Sequence, residues 1–97
     1  MPNETAVRCK IIFRGHVQGV GFRFTATGVA NNYNIAGYVT NRKDGTVLME
    51  VEGLKKVVSS MIQSVLGAMR GYVTGHEETW KPATGEFRDF GVRYEGR

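Results

Sequence analysis

The segment "IAGYVTNRKDGTVLMEVEG" (35–53) limits what this chain can become more than any other. Its second half alternates, with Val47, Met49 and Val51 on one side and Glu50 and Glu52 on the other, the period of a half-buried strand. Ahead of it stands "RKDG" (42–45), whose Asp44-Gly45 pair is a strong hairpin turn signal. "IAGYVTN" (35–41) then reads as the partner strand. A two-stranded hairpin is marginal alone, so its apolar face needs further strands and a covering layer.

The rest of the chain supplies both. Leu54, Val57, Val58, Met61, Ile62, Val65 and Leu66 recur at helical spacing, and Gly67 or Gly71 would end that helix. A second helical face runs through Phe22, Ala26, Val29, Ala30 and Tyr33. Its region, "FTATGVANNYNIAG" (24–37), is poor in helix formers, so packing must hold it. "VRCKIIFR" (7–14) alternates as a strand, with Val7, Cys9, Ile11 and Phe13 opposite Arg8, Lys10 and Arg14. "YVTGHEETW" (72–80) is a weak strand broken by Gly75, which predicts an edge position or a bulge. "KPATGE" (81–86) reads as a loop, and Phe90, Val92 and Tyr94 alternate in a closing strand. The order strand, helix, strand, strand, helix, strand, strand predicts an α+β, ferredoxin-like α/β sandwich. Two helices cover one face of a four- to five-stranded, mainly antiparallel sheet, and the strand-helix-strand crossover is right-handed. At 97 residues the expectation is one domain over 1–97.

Composition narrows the function classes. No apolar run reaches the roughly 20 residues of a membrane span, and "MPNETAVRCK" lacks the pattern of a secretory leader. Cys9 is the sole cysteine, so no internal disulfide forms, which suits a reducing cytoplasm. The net charge of +4 favours anionic partners, but the basic residues are scattered and choose none by themselves.

The chemistry concentrates in "GHVQGVGFR" (15–23), between the first strand and its helix. A helix start exposes unpaired N–H groups and the positive end of the dipole. Gly15, Gly19 and Gly21 permit a backbone cradle around an anion, and the planar guanidinium of Arg23 can donate two parallel hydrogen bonds to a phosphate. The stretch has no Gly-Lys-Ser/Thr and no third glycine of a dinucleotide fingerprint. From spacing alone a second reading stays open: glycines that serve only turn geometry, beside a solvated arginine.

"GHVQGVGFR" resembles the signature loop of the acylphosphatases, and "GYVTNRKDGTVLMEVEG" (37–53) resembles that family's second signature. The resemblance runs from about Val7 to Tyr94. It implies a metal-free, cofactor-free hydrolase of acyl phosphates with the same α/β sandwich. It implies a phosphate cradle of Gly15, His16, Val17, Gln18, Gly19 and Val20, a phosphate-binding and catalytic Arg23, and a catalytic Asn41. An acyl phosphate already carries a good leaving group, so positioning and charge stabilisation can suffice. Asn41 is expected to orient water rather than abstract its proton, since an amide is a poor base. Acetyl, carbamoyl and bisphosphoglycerate-like substrates all remain open.

The other candidates read as structural. His16 is expected in solvent and His76 on the surface; these two and Cys9 have no metal-ligand spacing. Gln18 and Thr40 are expected to support the loop and strand, Cys9 to be a buried small hydrophobe, and Asp44 and Gly45 to make the turn. Trp80 and Phe87 are expected to pack, with contact to an acyl group as the alternative, and Glu50 and Glu52 to form a solvated face. Two other classes share parts of this pattern. An RNA-binding sandwich presents aromatics on central strands, whereas the third strand here offers Leu48, Glu50 and Glu52, so no nucleic acid is expected. A non-catalytic anion sensor would keep the loop and Arg23 but have no need of Asn41. Similar domains begin larger carbamoyl-transfer proteins that mature hydrogenases; a chain of this length is expected to be a free-standing monomer acting on a small molecule, away from membranes. The tail "EGR" (95–97) carries no expected role.

Overall fold

The computed structural model describes residues 5–95; the ends of the expected 1–97 domain, residues 1–4 and the last two tail residues, lie outside them. The elements are β1 (Ala6–Gly15), α1 (Phe22–Ala30), β2 (Ala36–Asn41), β3 (Val47–Leu54), α2 (Lys55–Ala68), β4 (Val73–Pro82) and β5 (Phe90–Val92). They form one five-stranded sheet in the order β4-β1-β3-β2-β5. β1–β3, β1–β4 and β2–β3 are antiparallel, and β2–β5 is parallel. No helix among the described residues is long and apolar enough to cross a membrane.

The core follows the alternation. Cys9, Ile11 and Phe13 of β1, Val39 of β2 and Val47, Met49 and Val51 of β3 are fully buried with Val58, Met61, Ile62 and Val65 of α2. Each such side chain withdrawn from water contributes about 1.5–3 kcal/mol before conformational entropy is counted. Phe22, Ala26 and Ala30 of α1 complete the layer, and Phe22 meets the Phe13 ring at 4.8 Å. α1 lacks a side-chain cap and good helix formers, so this packed face holds it. Burial pushes the Cys9 thiol up to about 12, which leaves it an unreactive core residue.

Several details depart from the sequence pattern. α2 passes through Gly67 and ends at Ala68, and Leu54 closes β3 instead of joining the helix face. As expected, β4 is an edge strand, with a register shift between Arg14 and Gly15, where Gly75 and Val73 are successive partners. It also runs on through Lys81 and Pro82, expected in a loop; an edge position tolerates a proline. β5 is only three residues long.

The expectation of a solvated face at Glu50 and Glu52 is wrong. Segment 83–89 crosses that face. Glu52, 7% exposed, accepts the N–H groups of Thr84 (2.9 Å) and Gly85 (2.9 Å) and the Thr84 hydroxyl (2.7 Å). Arg8 joins them, donating to Glu50 at 2.8 Å and Glu52 at 3.2 Å beneath the Phe87 ring. Alternation put these side chains on the face away from the helices but could not foresee that the chain would return over them.

Topology decides where a site can form. β1 and β2 both run antiparallel to β3, and β5 runs parallel to β2. The C-terminal ends of β1, β2 and β5 therefore reach one end of the sheet. Val47 pairs there with both Phe13 and Asn41.

Candidate active site

The loop between β1 and α1 is shaped by what its side chains bury. Val17 is 1% exposed in the core, and Val20 packs against that core from its edge. Two inward anchors leave the intervening backbone at the surface. Gly15, Gly19 and Gly21 have φ of 123°, 78° and 79°. At Gly15 a Cβ would lie 2.3 Å from the Tyr72 carbonyl oxygen, so only glycine fits. Gly21 is the N-cap of α1 in the left-handed region, and neither a capping side chain nor an acidic residue neutralises the first turn. Among the described residues, the N–H groups of Val17 through Gly21 donate to no protein acceptor. These are the elements of an anion site: free donors, a helix start and no competing negative charge.

A cavity of about 410 Å³ opens here. Val17, Gly19, Gly21, Phe22, Arg23 and Asn41 line it, with Phe24, Thr27, Val92 and Tyr94 completing the wall. The structure thus brings Arg23 and Asn41, from α1 and the end of β2, into one space. Arg23 makes no ion pair among the described residues, and its guanidinium lies over the Tyr94 ring, 5.4 Å from the centroid. Asn41 Oδ1 is buried with no hydrogen-bond partner, the one such side-chain atom among the described residues. An unsatisfied buried acceptor costs about 1–3 kcal/mol, so it points to a donor supplied from outside the chain.

Not every side chain of the expected cradle reaches this wall. Gly15 ends β1 opposite Val73, and the His16 N–H is committed to the Tyr72 carbonyl at 2.9 Å. The His16 side chain is exposed. Val20 faces the core. Gln18 turns the other way: its Nε2 donates to the carbonyls of Arg42 (2.7 Å) and Thr46 (2.9 Å), fastening the loop to the turn that follows Asn41. Asp44 Oδ1 accepts from Thr46 N–H at 3.0 Å inside that turn. Glu95, which had no expected role, accepts the Lys43 N–H at 2.6 Å and braces the same turn from the chain's other end. Thr40 is buried, and its hydroxyl reaches only the Asn41 carbonyl at 3.4 Å.

The remaining candidates stand apart from the cavity. His76 is exposed on β4, with Nε2 3.1 Å from Glu78. Trp80 packs on the core edge under Lys55, and Phe87 packs against Tyr38 and Arg8. The exposed aromatics at the cavity are instead Phe24 and Tyr94, beside the buried Phe22, and periodicity did not single them out for it. Among the described residues no three His, Cys, Asp or Glu side chains gather in a way that could hold a metal ion.

Comparison with known proteins bears on the same features. The family profile described as Acylphosphatase matches residues 9–92. The chain is 42% identical over 88 residues to the acylphosphatase of Pyrobaculum calidifontis (strain DSM 21063 / JCM 11548 / VA1), covering 89% of this chain and 80% of the relative. It is 39% identical over 87 residues to that of Ligilactobacillus salivarius (strain UCC118), covering 88% and 96%. The crystal structure of acylphosphatase from Bacillus subtilis superposes with a TM-score of 0.84 at 31% identity, over 91% of this chain and 99% of that one. With the profile spanning nearly the whole sheet and both helices, this chain belongs to the acylphosphatase family.

Proposed function

We propose that this chain hydrolyses the carboxyl-phosphate anhydride of acyl phosphates to a carboxylate and inorganic phosphate. The observation that carries the reading is the unpartnered Asn41 Oδ1 in the same cavity as an unpaired arginine and free loop amides. The N–H groups of Val17, Gln18, Gly19, Val20 and Gly21, with Arg23, hold the three phosphoryl oxygens and balance their charge as the bond breaks. A water donates one hydrogen to Asn41 Oδ1, which turns a lone pair towards phosphorus. Its oxygen forms the new P–O bond while the P–O bond to the acyl group breaks. The electron pair leaves with the carboxylate, and the water's proton passes to a phosphoryl oxygen, so a dianion and water become two monoanions. The reaction needs no cofactor or metal in this scheme. The proposed substrate is a small molecule, met by a monomer in the cytoplasm without nucleic acid.

Hydrolysis of benzoyl phosphate with a chelator present tests this. Arg23→Ala weakens inhibition by inorganic phosphate and lowers turnover, whereas Asn41→Ala lowers kcat about a hundredfold while phosphate still binds. The rate stays flat across neutral pH; a limb near pH 6.5 would reassign the proton to a histidine. An inactive wild type that binds phosphate would favour the anion sensor, and activity lost to the chelator would sink the metal-free scheme.

A further inference from the structure

The proposed substrate has two ends, and the cavity has two kinds of lining. Arg23 and the loop backbone suit the phosphoryl end, but they are only part of a space of about 410 Å³, a volume typical of sites that enclose a whole small organic molecule. Beyond Asn41 and Thr27, the rest of the wall is apolar. Phe24 is 85% exposed, Tyr94 67% and Val92 39%. Scattered apolar side chains on a surface are ordinary. Here, of five large apolar side chains left exposed among the described residues, three line this one cavity, and they come from α1 and from the β5 region. Leu54 and Tyr72 are the other two. The Tyr94 ring is also held against the Arg23 guanidinium, so part of this wall sits beside the group that clamps phosphate.

We propose that Phe24, Val92 and Tyr94 form the acyl subsite, selecting acyl phosphates with a planar apolar acyl group over small or charged ones. This rests on the reading of the cavity as an acyl phosphate site. Two aromatic faces offer a flat acyl group a large dry contact, and an acetyl group can reach little of it. Among the described residues Arg23 is the only charged side chain lining the cavity, so a second anionic group on the substrate finds no other cation among them. Of the substrates compatible with the loop alone, the wall removes the doubly anionic ones and ranks the remainder by apolar area.

The test compares kcat/KM for benzoyl, acetyl and succinyl phosphate in wild type, Phe24→Ala, Tyr94→Ala and Leu54→Ala. Wild type should rank benzoyl first and the carboxylate-bearing succinyl last. Phe24→Ala and Tyr94→Ala should each lower the benzoyl-to-acetyl ratio about tenfold, mainly through KM, with inhibition by inorganic phosphate retained. Leu54→Ala, on an exposed apolar residue outside the cavity, should leave that ratio as in wild type. Equal losses on benzoyl and acetyl phosphate, or no change in the ratio, would overturn the subsite while leaving the hydrolase reading standing. A wild type that turns over none of the three would overturn the reading beneath it.

Discussion

Arg8 and Arg23 are both drawn in against the folded domain, yet their surroundings are opposite. Arg8 is 8% exposed and fully engaged: Nε on Glu50 at 2.8 Å, Nη1 on Glu52 and Thr84 at 3.2 Å each, and the guanidinium 4.6 Å from the Phe87 centroid. The hydrogen bond to Glu50 heads the causes that raise its pKa further. Arg23 has an aromatic ring beside it and no carboxylate among the described residues. A charge satisfied on every side is part of the architecture, because removing one partner strands the others. A charge left open beside a buried amide oxygen that has no partner among the described residues is, on the proposed function, kept for a ligand.

Swapping the losses is the strongest way to break this contrast. Arg23→Ala should lower kcat/KM about a thousandfold, as the removal of a phosphoryl-binding arginine does elsewhere, with little change in melting temperature. Glu52→Ala should do the reverse, costing about 3 kcal/mol of stability by stranding Arg8 and the N–H groups of Thr84 and Gly85. Its kcat, measured well below the lowered midpoint, should stay near the parent's. Chemical denaturation beside steady-state kinetics reads both; a stability loss at Arg23 matching that at Glu52 would erase the distinction.

Acid should sharpen it. Burial pushes the Glu52 carboxyl up, but the hydrogen bonds from Thr84, Gly85 and Arg8 outweigh it and hold the group below its ordinary 4.5. At Glu50 burial likewise acts upward and is outweighed by Arg8 and Tyr38. Folded values below the unfolded one mean that this stability is complete above about pH 4.5 and is lost as pH falls through the folded values. Urea midpoints measured downward from neutrality should fall only in that acid window, and Glu52→Gln should flatten part of the fall. The smallest effect belongs to Gln18→Ala. Losing its two bonds to the turn should cost about 1 kcal/mol and speed amide exchange over residues 17–21.

Much of this was legible in one dimension. The alternation of Val47, Met49 and Val51, the Asp44-Gly45 turn and the helical spacing from Val57 to Leu66 each report a local periodicity, and a period survives into the fold because burial acts on faces. The glycines ahead of Arg23 announced a loop with positive φ for a similar reason, since backbone permissiveness belongs to the residue itself. Legibility ended where distant segments meet. Nothing near Glu52 says that residues 84 and 85 will cap it, nothing near Gln18 says that its amide will face residues 42 and 46, and Phe24 looks like any exposed helix residue until Val92 and Tyr94 arrive beside it.

The sequence by itself determined the element order, the apolar faces and the glycine-rich loop ahead of Arg23, because these depend on side-chain type and short-range spacing. Only the tertiary structure decided which of those residues share a cavity, which carboxylates are walled in, and that the Asn41 oxygen ends without a partner. The physical reason is that hydrogen-bond satisfaction is an account settled over the whole molecule, closed only when every strand and loop has found its neighbours.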